Sequence, residues 1–482
     1  MPVLWFDAIG NEPTPRGERN FFGVSIMDFV LELVTLALLT LAGIANCGVL
    51  EKTNIPSCDA SPQEIRRILT NISDALSRDG YKVVEGSFKV FKSDLFGANP
   101  GNPYVTYFHP GMVDSHLPIF PLKETSAVVF AGCTPKSAAY FSWRSYAFTT
   151  DDHLVFASLG DSLNNIVINT TAETKNSGGK LTAVVTTSDA GTYAAVGTAL
   201  RGAGLGAVNL DAIPSHLLDM DHTKFIMLHR ASVWNSSAEK LAYFAQDRPV
   251  LFVDAPKDPA TWHTSDSIPN RPLPTLPLRP PGTGVSELSM PGVKTGLDVI
   301  HTAVVHKMTA AGYNLVDEST VYDLGLDGFV CLRNKTNCKG DNRDTHYLAY
   351  HDDSFAEDHA YVIIGTNSVE TGKCTYTNLG LYRVGHSIVG NRTKLKSTNI
   401  TADNRKFLGS AEFYGAATDK VFAYLLNRTC NTAFCTAIDE TNVPMGSEWA
   451  LAYRTYLEPA TATAPKLSEL SLPKVLKFAR TS

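Results

Sequence analysis

The chain has 482 residues, 44% hydrophobic and 19% charged, a composition that supports packed cores and a length beyond what one core usually serves, so two or three domains are expected. Its formal net charge of -6 supplies no cationic field and no basic stripe interleaved with aromatics, which speaks against a nucleic-acid partner.

The first element is an apolar run over 33–45, followed by Asn46 and Cys47. Gly43 and Ala45 are the small residues a signal peptidase requires just before its cut, so residues 1–45 read as a signal peptide or leader, cleaved after Ala45 on export. Met27 competes with Met1 as initiator, and Asp28 and Glu32 give the run an acidic start. The alternative keeps residues 29–50 as an uncleaved anchor, because 33–50 is 18 residues without a charge, close to the length that spans a bilayer. Membrane contact is expected only in that case.

Residues 46–255 read as a first α+β domain. Ser61-Pro62 with Glu64 signals a helix start, Ile65, Ile68, Leu69, Ile72 and Leu76 follow at helical spacing, and Asp79-Gly80 ends it. Strands are expected over 128–130, 140–148, 154–159 and 166–168, where β-branched and aromatic residues cluster. Beyond them the order is strand 181–187, helix 193–201, strand 206–210, strand 225–234, helix 238–245 and strand 250–253. Residues 256–290 are a proline-rich linker: eight prolines fall within 26 positions, a density that removes the backbone donors a helix or sheet needs.

Residues 291–458 read as a second α+β domain. Leu297, Ile300, Val304 and Met308 share a helical face that stops at Ala311-Gly312, and strands are expected around 347–350 and 360–364. Residues 459–482, with Lys466, Lys474, Lys477 and Arg480, read as a C-terminal arm. The halves echo one another: Gly80-Tyr81 and Gly312-Tyr313, Tyr146 and Tyr382, Thr192 and Thr432, Arg230 and Arg454 recur in the same order. The expected fold is therefore two tandem related domains, each a mainly antiparallel sheet with helices packed on it.

Export predicts oxidised cysteines, and the chain has eight. The short loops make Cys331 with Cys338 and Cys430 with Cys435 the easiest pairs to close. Asn-x-Ser/Thr sequons at Asn71, Asn169, Asn235, Asn334, Asn391, Asn399 and Asn427 are candidate glycosylation sites.

Four constellations are candidates for chemistry. Over 156–165 an apolar strand runs into Gly160-Asp161-Ser162-Leu163, and Asp219-Met220-Asp221-His222 follows downstream. These residues resemble the nucleophile and histidine blocks of the GDSL (SGNH) hydrolases, and the resemblance implies an esterase with Ser162 as nucleophile, His222 as base and Asp219 orienting the imidazole. The other reading of 160–165 is a β-turn. A second cluster, with His351, Asp353 and His359 as metal ligands, suits zinc or calcium, or is a solvated hairpin loop between two strands. Third, Gly340 to Thr345 alternates acids and amides like a calcium loop, or is a turn tethered by the neighbouring disulfide. Last, Arg144, Arg230 and Arg454 stand among apolar and aromatic strand neighbours, as ligand-binding groups or as buried structural cations.

No cofactor is required by these residues. The leading expectation is an exported glycoprotein with a binding or interaction role, its site between the two halves and its partner a small molecule, glycan or protein. The alternatives are a secreted serine hydrolase and a metal-dependent enzyme.

Overall fold

The structure, a computed structural model, describes residues 58–91, 99, 103–112, 118–172, 178–246, 248–256, 271–386 and 393–481. The leader or anchor, Met27, Cys47, the sequon at Asn391 and much of the linker lie outside the described residues. Pro56–Ser482 forms one compact unit, mixed α+β and mostly sheet.

Strands β1 (Lys82–Phe91), β2 (Tyr104–Phe108), β3 (Phe120–Pro121), β4 (Ser126–Cys133), β5 (Ala138–Thr150), β6 (His153–Ser158), β7 (Leu163–Asn164), β8 (Leu181–Thr187), β9 (Val208–Ala212), β10 (Thr223–Trp234) and β11 (Arg248–Asp254) form one sheet. Its order is β6-β5-β10-β2-β1-β11-β4-β8-β9, with β3 paired to β10 and β7 to β5. After the linker come β12 (Tyr313–Thr320), β13 (Tyr322–Asp323), β14 (Thr345–Asp352), β15 (His359–Thr366), β16 (Tyr376–His386), β17 (Thr393–Asp403), β18 (Val421–Asn427), β19 (Cys435–Ala437), β20 (Trp449–Tyr456) and β21 (Lys474–Arg480). They form two sheets, β12-β21-β15-β18-β19 and β13-β14-β20-β16-β17. Only β8–β9 and β18–β19 pair in parallel among these strands.

Helix α1 (Pro62–Arg78) forms as its sequence dictates: Ser61 accepts a hydrogen bond from the Glu64 amide, and Ile68, Leu69, Ile72 and Leu76 are buried. With α2 (Ala190–Gly202) it covers a sheet face carrying Val129, Val185, Leu251 and Val253. The later helix α3 (Ser237–Ala245) lies over Trp234 and the Trp143 core. Helix α4 (Val293–Ala310) buries Ile300, Val304 and Met308 against Val362, Ala423 and Phe478. Gly80 and Gly312 follow α1 and α4 at φ 85° and 83°, a left-handed turn that costs a side-chain-bearing residue strain.

Three expectations change. The tail after 459 is more than an arm: β21 is an interior strand, antiparallel to both β12 and β15, and its Val475, Leu476 and Phe478 are core residues. The strands flanking the His351 cluster do not form a hairpin, because β14 and β15 belong to different sheets. Residues 166–168 follow β7 as a turn, held by the Val167 and Ile168 amides donating to Asn164 O.

Cys58 pairs with Cys133, Cys331 with Cys338 and Cys430 with Cys435, while Cys374 is a free buried thiol. No described helix is long and apolar enough to cross a membrane.

The halves are stitched by the segment after the Cys331–Cys338 bridge. Cys338 N and Gly340 N donate to Val155 O and Phe156 O at 2.8 and 2.9 Å, extending the first half's sheet at the β6 edge. Helix α5 (Gly328–Asn334) approaches so closely that a Cβ on Gly328 would strike the Ser158 backbone. Along the described linker, Leu273 N bonds Ser188 O at 2.7 Å and Arg279 N bonds Asp161 Oδ2 at 2.6 Å.

Candidate functional site

Where the halves face each other, strand alternation sorts two kinds of surface. Successive side chains point to opposite faces, so Phe141, Trp143, Met227 and Ala231 enter one core, while Leu379, Leu451, Tyr453 and Trp449 enter another. The remaining faces of β5-β10-β2 and β14-β20-β16 carry arginine, tyrosine, serine and asparagine, and they meet. Tyr140 and Tyr456 rings lie 4.8 Å apart, and Tyr376 stacks on Tyr456 at 5.1 Å. Asn99 spans the layer, donating to the Tyr456 hydroxyl at 3.3 Å and accepting from Asn378 at 2.6 Å.

Arg230 and Arg454 occupy this layer in the same register. Arg230 on β10 stands opposite Ser142 of β5 and Tyr104 of β2; Arg454 on β20 stands opposite Asn378 of β16 and Tyr347 of β14. Four residues after each arginine's partner on β5 and β16, Tyr146 and Tyr382 supply a second ring. The Arg230 guanidinium lies 5.1 and 5.4 Å from the Tyr104 and Tyr146 rings, and that of Arg454 lies 5.4 and 5.3 Å from Tyr347 and Tyr382. Each is a cation between aromatic faces. Tyr104 and Tyr347 act electrostatically on both arginines, so the cluster is shared by both halves.

The electrostatics of this layer are unusual. Arg230 and Arg454 are 2% and 4% exposed, yet no carboxylate lies within ion-pair distance of either among the described residues. Arg454 Nη2 donates to the Tyr382 hydroxyl at 2.7 Å, but Nε and Nη1 of both arginines have no partner. The tyrosines do not neutralise them: burial pushes the Tyr146 and Tyr382 phenols up to about 12 even with arginines beside them, so they are uncharged at neutral pH. Cation–π contacts return about 0.5–2 kcal/mol each, against an effective cost of several kcal/mol for each buried ion.

Arg144 is also buried, 1% exposed, but it sits in the field of Asp211, Asp341 and Asp344. Those acids also serve hydroxyl or amide donors: Asp341 takes Ser158 Oγ at 2.6 Å, and Asp344 takes Tyr140 and Asn164 at 3.0 and 2.9 Å. The acids of the 340–345 segment are thus engaged across the junction, as the tethered-turn reading expects.

Beside this layer opens a cleft of about 160 Å³. Ser158 of the first half, Pro281 of the linker and Asp323, Asp327, Arg343 and His346 of the second half line it, and Tyr347 forms part of its wall. A hydrogen bond from His346 holds the Asp323 carboxyl below its usual range, outweighing burial. Tyr347 therefore touches both the cleft and Arg454.

The hydrolase constellation is not assembled. Ser162 is fully buried, its hydroxyl donating to Asn342 Oδ1 at 3.1 Å. His222 and Asp219 do pair, at 2.9 Å, but on an exposed turn. Leu163 pairs with Trp143 and Thr223 with Thr150, so serine and histidine are separated by about seven residues of β5, roughly 23 Å at ~3.3 Å per residue. That far exceeds the reach of a general base.

The metal candidate is rearranged. His351, Asp353 and Glu448 bring ligand atoms within 4.8 Å of one another, with His351 Nε2 2.6 Å from Glu448. His359 turns instead to the Tyr361 hydroxyl at 3.4 Å. Asp151, Asp219 and His222 form a similar exposed group. Among the sequons, Asn71, Asn169, Asn235 and Asn334 are exposed, and the Asn399 side chain lies outside the described residues. Asn427 is 8% exposed, its amide turned toward Tyr313, which hides it from a glycan in the folded chain.

Sequence reasoning missed Tyr104 and Tyr347. Their signal was available: Tyr104-Val-Thr-Tyr107 and Tyr347-Leu-Ala-Tyr350 repeat one pattern in the two halves.

No protein-family model matches the chain, and no curated protein matches it. Among solved structures it is similar to a putative uncharacterized protein from Burkholderia cenocepacia, at 11% identity over 88% of this chain and 92% of that one, with a TM-score of 0.40. It also aligns with the ANXUR2 extracellular domain from Arabidopsis thaliana and the ANX2 ectodomain from the same plant, each at 9% identity over 83% of this chain and 89% of the other, with TM-scores of 0.12 and 0.13. Likenesses this weak carry no function.

Proposed function

We propose that the chain is an exported glycoprotein that binds a ligand between two related α+β halves. The carrying observation is the arginine–tyrosine layer: two buried cations, one from each half, with the same unpartnered nitrogens at the same register. Relatedness of the halves draws support from strand order, since β9-β8-β4-β11-β1 and β2-β10-β5-β6 have counterparts in β19-β18-β15-β21-β12 and β14-β20-β16-β17. Its parallel pairs, β8–β9 and β18–β19, also correspond. Export and glycosylation draw support from the three cysteine pairs and the exposed sequons.

A binding role is favoured over catalysis because Arg230 and Arg454 keep buried donors without acceptors, whereas the hydroxyl–carboxylate pair at the junction, Ser158 with Asp341, is buried and spends both carboxylate oxygens on Ser158 itself. Differential scanning of the secreted protein against glucose, glycine, acetate and sulfate, with tyrosine fluorescence followed in parallel, tests this. At least one compound should raise the melting temperature and change the tyrosine signal; a panel without effect on either overturns the reading.

A further inference from the structure

We infer that the junction ligand is a small oxyanion, a carboxylate or an inorganic oxyanion, held by Arg230 and Arg454 together. This rests on the binding role proposed above and adds the class of ligand.

Three properties of the layer lead there. First, the charged donors of the layer are left free: Nε and Nη1 of each arginine are buried without an acceptor, and N–H groups on a guanidinium favour anionic oxygen over neutral acceptors by geometry and charge. Second, the groups around them are uncharged: tyrosine rings and hydroxyls and, opposite Arg454, Asn378, whose Oδ1 is a buried neutral acceptor that Arg454 does not use. Tyr104 takes its hydrogen bond from Asn99 N at 3.2 Å, Tyr382 takes one from Arg454, and Tyr347 donates away from the layer to Gly340 O at 3.0 Å. Those acids near the junction are committed to Ser158, Tyr140 and Asn164. Third, the arginines belong to different halves yet share neighbours: Arg454 lies over the Tyr347 ring, and Tyr104 and Tyr347 act electrostatically on both, so one anion between them would offset part or all of their charge and tie the halves together.

Near-complete burial limits the anion to a few atoms or to the acidic end of a larger molecule. Tyr347 suggests the second route, because its ring covers Arg454 on one side and walls the cleft on the other. A carboxylate entering from the cleft would pass that ring, whereas a free oxyanion would be enclosed whole.

Calorimetric titration of dialysed full-length protein with sulfate, phosphate, acetate and chloride tests the inference and separates the sources. One of the three oxyanions should bind saturably and in preference to chloride, raising the melting temperature by about 3 °C at a hundred times its Kd. Arg454→Met and Arg230→Met should each weaken that binding at least tenfold. Arg454→Lys, which keeps the charge and loses the planar fork, should fall between. Should a methionine variant fail to fold, the wild-type ranking alone decides: equal, unsaturable effects of all four salts overturn the inference. If the salts and glycine, which also carries a carboxylate, fail while glucose shifts the tyrosine signal, only the anion assignment falls; if every compound fails, the binding role falls with it.

Discussion

Among its described residues the second half buries two cations, Lys373 and Arg454, and treats them differently. Lys373 is enclosed with its counter-charges: its ammonium lies 3.0 Å from Glu458, hydrogen-bonds Glu469, and also donates to Thr283 of the linker at 2.8 Å. Arg454 is enclosed with rings and a single phenol hydroxyl. At Lys373 every strong donor has an acceptor, which is how a structural ion group is completed. At Arg454, and at Arg230 in the first half, the donors outnumber the acceptors. The lysine cluster clamps the linker onto the second half; the arginine layer keeps donors that no described residue accepts.

The strongest way to break this contrast is to remove the lysine. Lys373→Met leaves two buried carboxylates facing each other and should destabilise by about 3–5 kcal/mol, measured by urea unfolding; a loss below ~1 kcal/mol would make the two clusters equivalent. Acid should act on the same clamp. Burial pushes the Glu469 carboxyl up, but hydrogen bonds from Lys373 and from the Thr283 and Gly284 amides outweigh it and bring it down to about 2. A carboxyl depressed in this way contributes stability that is complete above its unfolded value near 4.5 and lost as the pH falls toward 2. Unfolding midpoints should therefore decline across that window, and the decline should shrink in Glu469→Gln.

Smaller effects are expected in the arginine layer. Tyr382→Phe removes the hydroxyl that accepts from Arg454 Nη2 and should cost about 1–3 kcal/mol. Arg454→Met exchanges an incompletely paired cation for an apolar chain of similar length, so without added anions its stability should stay within ~1 kcal/mol of wild type. A loss as large as that of Lys373→Met would assign Arg454 a purely structural role. Ser162→Ala should also have a small effect, since it removes only the bond to Asn342, about 1 kcal/mol.

Much of the local structure was legible in the chain. The helix start at Ser61-Pro62, the stops at Gly80 and Gly312 and the strand at 181–187 follow from capping, backbone geometry and β-branched runs, which are properties of neighbouring residues. The short-loop cysteine pairs follow from the same locality. The Arg230 and Arg454 match was readable as an echo, but not its meaning: alternation along β10 shows that Arg230 and Leu228 share a face, and says nothing of a second polar face covering it. For the same reason Ser162 looked like an exposed nucleophile, whereas Asn342, 180 residues later, closes over it. The tail was misread because Lys474-Val-Leu-Lys-Phe-Ala-Arg480 resembles a charged surface segment until β12 and β15 are placed on either side of it.

The most direct test of the anion site is anomalous diffraction from crystals equilibrated with selenate, an oxyanion of sulfate's shape whose selenium scatters anomalously. The account predicts a selenium peak between Arg230 and Arg454, displaced when the oxyanion that binds best in solution is added in excess. A map with no peak between the two guanidiniums, or with ordered water in that position under the same conditions, would contradict it.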